Sequence, residues 1–381
     1  MSGSKSGTKR LLLVGAGHAH LYSLAHLDRF TRRGISVTVI SPAPFWYSGM
    51  GPGLLSGQYE PEEASVDIRA MVEGRGGRFL EARVTKIHAE RHYVITSDGE
   101  KVPYDVLSLN IGSEVTAPPE NTMRHRVFTV KPVHRFLEMR KHILTFEPSR
   151  TLRISLVGGG PAGCEAAAAA RSLCFRLGYS PSIRLFTGGS GLLSGLPSLA
   201  GKRMADWCRK NEILVDRGRR LSGFEGDTLV FEDHSREESD ITILATGVHP
   251  PDLVKNSELA ADGEGALRVD PHLQSLSHPG VFGGGDCIHL QNHPLARVGV
   301  YAVRQGPVLF ANLFVSLFGG RMRTFSPQKR FVLILNLSDG TGLLVRGRFV
   351  VSGRIAFLLK RWLDRRFVRR FQSVVVRTNA K

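Results

Sequence analysis

Four consecutive apolar residues, Leu11–Val14, stand between a polar lead and a glycine pair. A short apolar run bounded in this way reads as a strand buried on both faces. His18–Thr31 carries apolar residues at helical spacing, and Ile35–Ser41 is a second, β-branched run. Strand, helix and strand at this length form a parallel crossover unit. Pro42–Gly57 is rich in Pro, Gly and aromatics, which predicts an irregular loop. Arg83–Thr96 alternates and meets Asp98-Gly99, a hairpin signal. Tyr104–Ile111 is another apolar strand, closing at Gly112-Ser113.

The pattern then repeats. Leu152–Val157 is a buried strand, Gly158–Gly163 a Gly-rich turn and Cys164–Leu177 an Ala-rich helix. Ser182–Thr187 and Ile241–Thr246 are further strands, the latter ending at Gly247. Val281–Asp286 is a short apolar strand running into Gly-Gly-Gly-Asp, and it reads as the closing strand of the first unit. The second unit is then inserted into the first. The expected architecture is α/β, with two Rossmann-like dinucleotide-binding domains and a small C-terminal α+β region. The boundaries are 9–120 with 268–325, then 121–267, then 326–381. In the last region Phe331–Leu337 and Gly342–Arg346 are strands around a Ser338–Gly340 turn, and Gly353–Phe371 has helical character.

The glycine turns carry the chemistry. In Gly15-Ala-Gly17-His-Ala-His20 the first glycine permits the tight turn and the second lets backbone amides approach a pyrophosphate. The following helix N-terminus faces the negative charge. His20 holds the position where Gly or Ala normally allows close strand–helix packing, and Ser41 stands where an acid would hold a ribose. The second motif, Gly158-Gly-Gly160-Pro-Ala-Gly163, is complete and follows a strand. Its second strand ends Phe186-Thr187-Gly188-Gly189, with neither the acid that favours NADH nor an arginine that favours NADPH. Asn110-Ile-Gly112-Ser113, Ala245-Thr246-Gly247 and Val281–Asp286 complete an order found in flavoproteins with two dinucleotide-binding domains. A carboxylate at Asp286 suits the ribityl hydroxyls of FAD.

These motifs resemble the pyridine-nucleotide-dependent flavoproteins, and among them the type II NADH dehydrogenases. The likeness is closer still to the NADH-dehydrogenase-like domain fused to selenophosphate synthetases. It is most specific at Tyr47–Tyr59, Gly299–Pro307 and Arg361–Phe367. It implies an enzyme holding FAD, reduced by NADH or NADPH, and passing electrons to a quinone or similar small acceptor. By resemblance, Gly15, Gly17, Asn110, Gly112 and Asp286 are FAD positions, and the backbone at Val84 meets the adenine. His20 and Ser41 fall within the same cofactor set. Gly158, Gly160, Gly163 and Gly247 are nicotinamide-nucleotide positions. Glu165 matches a Glu near the meeting of nicotinamide and flavin, and Gln305 the last Gln of a quinone-site segment. The earlier Ala-Gln of that segment is replaced by Val300-Tyr301. Two alternatives stay open: a flavin-bound partner supplying electrons or a docking surface in selenium metabolism, and a sulfide:quinone oxidoreductase-like enzyme.

Composition narrows these. The four cysteines, Cys164, Cys174, Cys208 and Cys287, show no C-x-x-C or C-x4-C spacing, which speaks against a redox disulfide, a zinc site and a disulfide scaffold. Cys164 and Cys287 lie beside flavin-site motifs, where small residues pack, so a sulfur-carrying role is the lesser reading. His18 and His20 read as a loop-and-helix surface pair, and no metal site is expected. No run of 18 apolar residues occurs, so no membrane-spanning helix is expected. The placement that follows is the cytoplasm, or the cytoplasmic face of a membrane.

The net charge is +17, and Val345–Lys381 supplies +10 of it through 11 Lys/Arg against Asp364 alone. On a helix over 354–371, Arg354, Arg361, Arg365 and Arg369 share one side. Ile355, Leu359, Trp362, Leu363 and Phe367 lie roughly opposite. Such a basic amphipathic helix suits an anionic membrane surface; a helix that merely caps the fold is the alternative. No nucleic-acid module accompanies the charge. The patterning leaves the oligomeric state open.

Overall fold

The computed structural model describes residues 8–42, 44–116, 127–147, 150–328 and 330–379. Most of the polar N-terminal stretch, and the boundary expected at 120/121, lie outside the described residues.

Two five-stranded parallel sheets organise the chain. The first runs Val281–Gly283, Val106–Leu109, Arg10–Val14, Ser36–Ile40, Arg78–Leu80. The second runs Val127–Thr129, Ile241–Leu244, Arg153–Val157, Ser182–Thr187, Ile213–Arg217. The central strands are buried along almost their whole length, which is why they read as unbroken apolar runs. The strand near residue 281 does close the first sheet, beside Val106–Leu109. Two antiparallel three-stranded sheets, Val84–Pro103 and Leu221–Glu238, serve as crossover connections.

Three local expectations need correction. His18–Thr31 is two short helices, Leu21–Ala25 and Asp28–Thr31, rather than one. Pro42–Gly57 is not irregular. It holds the short strand Phe45–Trp46, which pairs with Ser65–Val66, a 3-10 turn at Ser48–Met50 and the helix Gly51–Ser56. All six residues of that helix are buried, between the helices Arg135–Leu144 and Pro161–Arg176 of the second fold. A Cβ on Gly51 would lie 2.6 Å from the Phe136 ring, and one on Gly53 2.2 Å from Tyr59. The glycines that argue against a helix by propensity are the ones that let this helix fit; burial overrides propensity here. The C-terminal helix runs Arg354–Asn379, eight residues past the expected end, and packs on a three-stranded sheet that adds Phe349–Gly353 to the two foreseen strands.

The helix Gly299–Phe318 is long and apolar enough to cross a membrane by length and composition. It packs against Leu21–Ala25 and buries Gln305 and Asn312 in the first fold, as a core helix does.

Gly158 shows how tightly the second turn is built. Its φ is +124°, and a Cβ there would lie 2.1 Å from the Ala245 carbonyl oxygen. Gly158→Ala is expected to destabilise the protein by about 2–4 kcal/mol, read as a lowered midpoint in chemical denaturation.

Candidate functional site

A cavity of about 400 Å³ opens at the C-terminal edge of the first sheet. This is the end at which ligands bind in open α/β sheets. Its walls include Gly15, Gly17, Ser41, Val84, Asn110, Gly112 and Asp286. Seven of the residues singled out in the sequence therefore meet on one surface.

The side chain of Asn110 organises that surface. Its Oδ1 accepts from the backbone N–H of Ala19 (2.9 Å) and of His20 (3.1 Å), and its Nδ2 donates to the Gly284 carbonyl (2.6 Å). A Cβ on Gly17 would lie 2.5 Å from Oδ1, so the second glycine of the turn makes room for Asn110. Ser41 is buried at the end of its strand.

His20 lies beneath the turn and does not line the cavity. Its Nδ1 faces the Gly15 carbonyl at 2.5 Å and its Nε2 the Ser108 hydroxyl at 2.8 Å. A carbonyl only accepts, so Nδ1 carries the proton and Nε2 accepts from Ser108. Burial pushes its pKa down to about 4, against the pull of the Gly15 carbonyl, so the ring is neutral. Where the usual motif has a small residue, this chain pins the turn to the sheet by hydrogen bonds. His18 is not a surface residue either. It lines the cavity, its ring packs on Phe45 (4.8 Å between centroids), and burial pushes its pKa down to about 4. Among the described residues no group of His, Cys, Asp and Glu could hold a metal.

Asp286 lines the same cavity. Lys131 Nζ and the Ser113 hydroxyl both donate to its Oδ2 at 2.7 Å. Burial favours the neutral acid, but the charge and hydrogen bond of Lys131 outweigh it and hold the group below the usual carboxylate range. Lys131 enters from the second fold, just past the strand Val127–Thr129. Nothing in the sequence singled it out, because it lies 155 residues from Asp286. Gln305 is buried behind this segment, and its Oε1 accepts from the Gly285 N–H at 2.6 Å. It supports the Asp286 turn from below.

In the second fold, Gly158 and Gly163 are close-approach positions; a Cβ on Gly163 would lie 1.9 Å from the Gly158 carbonyl oxygen. Gly160 caps the helix Pro161–Arg176, and both Gly160 and Gly247 face open space. An open Gly turn at a helix N-terminus suits a pyrophosphate, and the first cavity offers FAD a matching Gly turn and a buried carboxylate.

Glu165 sits one turn into the helix Pro161–Arg176 and joins a cluster drawn from four segments. Its Oε1 accepts from the Asn336 N–H at 2.7 Å. Lys360, buried on the C-terminal helix, donates to the Gly49 carbonyl (3.0 Å) and pairs with Asp364 (3.1 Å). Tyr47 bonds Asp364 and stacks on Phe367 at 4.7 Å between centroids. Burial raises Glu165 to about 7, more than Lys360 lowers it. Burial raises Asp364 as well, again only partly offset by Lys360. For Lys360 burial opposes the charge, yet the two carboxyls prevail and keep the ammonium protonated. Asp364 was visible as the lone acid of a basic tail, four residues after Lys360; its place in this cluster was not.

The outer side of the C-terminal helix differs from the expected division. Ala356, Lys360, Asp364, Val368 and Phe371 face inward. Phe367 packs on Tyr47 and Arg365 bonds Glu63 (2.7 Å), so neither lies where the helical wheel placed it. Ile355 (81% exposed), Leu358, Leu359, Trp362 and Leu363 face out, beside Phe349 and Val351.

All four cysteines are buried and free. Burial raises Cys164 well above its ordinary value and Cys287 to about 11, the opposite of what a reactive thiolate needs.

Residues 9–306 match the family described as pyridine nucleotide-disulphide oxidoreductase, and the chain belongs to it. It is thus an oxidoreductase whose cofactors are FAD and a nicotinamide nucleotide. A ferroptosis suppressor protein 1 from Taeniopygia guttata is 26% identical over 75% of this chain and 78% of its own length. A probable NADH dehydrogenase from Dictyostelium discoideum is 24% identical over 92% of this chain and 83% of its own. NDH2 from Plasmodium falciparum, solved with NADH, superposes with a TM-score of 0.80 at 16% identity, covering 98% of each chain. The sulfide:quinone oxidoreductase of Aquifex aeolicus gives 0.79 at 15%, covering 96% of this chain and 92% of its own.

Glu165 generates a pH prediction. Its pKa is about 7 in the folded chain against an ordinary 4.5, so the folded state binds that proton more tightly than the unfolded state. Stability from this group is full below pH 4.5 and is lost as pH rises through about 7. Glu165→Gln is expected to flatten that decline, measured as denaturation midpoints across the interval.

Proposed function

We propose that this protein is a dehydrogenase of the type II kind, taking reducing equivalents from NADH or NADPH and delivering them to a quinone. Bound FAD supplies the two-electron chemistry between donor and acceptor. The observation that carries the reading is the double role of the C-terminal helix. Its inner face brings Lys360, Asp364 and Phe367 to Tyr47, beside the cavity and Glu165, while its outer face shows an apolar patch. An acceptor dissolved in lipid would be met at that junction.

The chain's own groups have definable parts. The turn at Gly15–Gly17 and the Asp286 carboxylate hold the flavin nucleotide. The turn at Gly158–Gly163 holds the nicotinamide nucleotide, and Glu165 orients its reactive end. Lys360, held protonated between Glu165 and Asp364, keeps a proton close to the place where the acceptor is reduced. The relatives' names accord with this: beside the Dictyostelium protein stands a demethylphylloquinone reductase of Synechocystis, 21% identical over 73% of this chain. Buried, high-pKa thiols count against sulfur transfer. Anaerobic addition of NADH or NADPH should bleach the flavin absorbance, and a ubiquinone analogue should restore it. No bleaching with either coenzyme rejects the reading.

The resemblance to the domain fused to selenophosphate synthetases supports a second reading, an electron-supplying partner in selenium metabolism. Rapid quinone turnover by the isolated protein excludes it.

The helix itself supports peripheral membrane contact. Phe349, Val351, Ile355, Leu358, Leu359, Trp362 and Leu363 form the outward patch, flanked by the exposed Arg354, Arg366, Arg369 and Arg370. Apolar insertion with arginines at headgroup level is the expected mode. The protein should float with vesicles containing anionic phospholipid, and Leu359→Asp with Trp362→Asp should leave it at the bottom of the gradient. Failure of the unaltered protein to float would remove the membrane assignment.

A further inference from the structure

The strand Ser182–Thr187 ends where a carboxylate would bond the ribose 2′-hydroxyl of NADH. It ends instead in Thr187-Gly188-Gly189, and the fold brings a basic segment to that place. Ile213–Arg217 runs parallel beside it, with Arg217 in register with Thr187. The Gly218 N–H donates to the Gly189 carbonyl (3.2 Å), and the Arg219 N–H to the Thr187 carbonyl (3.1 Å). Residues 217–220 are therefore laced to the strand end by backbone hydrogen bonds. The Arg220 side chain lies across Gly188: a Cβ there would come to 2.7 Å of Arg220 Cγ. The missing side chain at 188 is what admits the arginine.

The three arginines divide by role. Arg219 is committed internally. Its guanidinium stacks over Phe231 at 4.1 Å and Phe186 at 5.1 Å, and it bonds the Ser235 hydroxyl. Arg217 and Arg220 are exposed and take part in no ion pair among the described residues. Of the acids near by, Asp216 and Glu237 are held by Arg184, Asp233 faces Arg219, and Glu232, whose N–H donates to the Arg220 carbonyl (2.9 Å), is exposed and makes no ion pair with either arginine among the described residues. Two free guanidinium groups with no carboxylate at the strand end make a receptor for a phosphate dianion rather than for a diol.

We propose that the second fold takes NADPH in preference to NADH, with Arg217 and Arg220 receiving the 2′-phosphate. This rests on the reading that the second fold holds a nicotinamide nucleotide. Two measurements test it. In anaerobic flavin reduction, kcat/KM for NADPH should exceed that for NADH by about tenfold or more, the worth of charge-assisted hydrogen bonds. Calorimetry on the flavin-loaded protein, with no turnover, should show adenosine 2′,5′-bisphosphate binding more tightly than adenosine 5′-monophosphate. Arg217→Ala combined with Arg220→Ala should erase that difference and lower the NADPH-to-NADH ratio of kcat/KM by about tenfold. Retention of the unaltered melting temperature shows that the variant is folded; if it unfolds, Arg220→Gln alone is read in the same way. Equal or better use of NADH by the unaltered protein, or equal binding of the two adenosine phosphates, overturns the assignment while leaving the dehydrogenase reading intact. Bleaching by neither coenzyme removes both.

Discussion

Asn110 ties three chain segments with one side chain: the start of the first helix, the end of its own strand, and the Gly284 turn more than 170 residues on. Each hydrogen bond is buried, so losing any of them strands a backbone group without water. All three segments line the cavity, together with Ser41, Val84 and Lys131 from other parts of the chain. The Gly17 turn yields space to Asn110, Gln305 props the far turn at Gly285, and His20 fixes the near turn to the sheet. The first sheet is complete only because its last strand, Val281–Gly283, returns beside Val106–Leu109 after the second fold.

The second dependence runs through charge. Two carboxyls, Glu165 and Asp364, share one buried ammonium, Lys360, across a junction of both folds and the C-terminal helix. A buried cation with one acid is a structural ion pair. Here a second acid lies close by, and burial raises both carboxyls while their charge keeps the Lys360 ammonium protonated. The C-terminal sheet and helix bring Asn336, Lys360 and Asp364 to Glu165. The appended region is therefore part of this cluster and not a separate module.

The legibility of the molecule in its sequence divides along physical lines. The central strands of both parallel sheets were readable because strands buried on two faces must be apolar throughout, and Gly turns at their ends are constrained by close backbone approach; Arg78–Leu80, Val127–Thr129 and Ile213–Arg217, at the sheet edges and only partly buried, carry no such run and were not read. Gly15, Gly17, Ser41, Val84, Asn110, Gly112 and Asp286 could be named in advance and line one cavity. The helix Gly51–Ser56 could not, since its glycines serve packing against Phe136 and Tyr59, a tertiary contact that overrides local preference. Nor could His20's role, which depends on Ser108 lying on the adjacent strand.

What the chain determined alone was the alternation of strand, turn and helix, the order of the two folds, and the concentration of charge in the tail. These follow from local periodicity and the geometry of glycine. Tertiary structure decided which residues meet. It carried Lys131 to Asp286, and Lys360 and Asp364 to Tyr47 and Glu165. It laid Arg217 and Arg220 at the end of a strand that lacked its acid. It turned Phe367 inward and Trp362 outward on a helix whose periodicity alone had grouped them. In each case the partners lie far apart in sequence. Their meeting is set by sheet order and by the cost of burying charge unpaired, which no local pattern encodes.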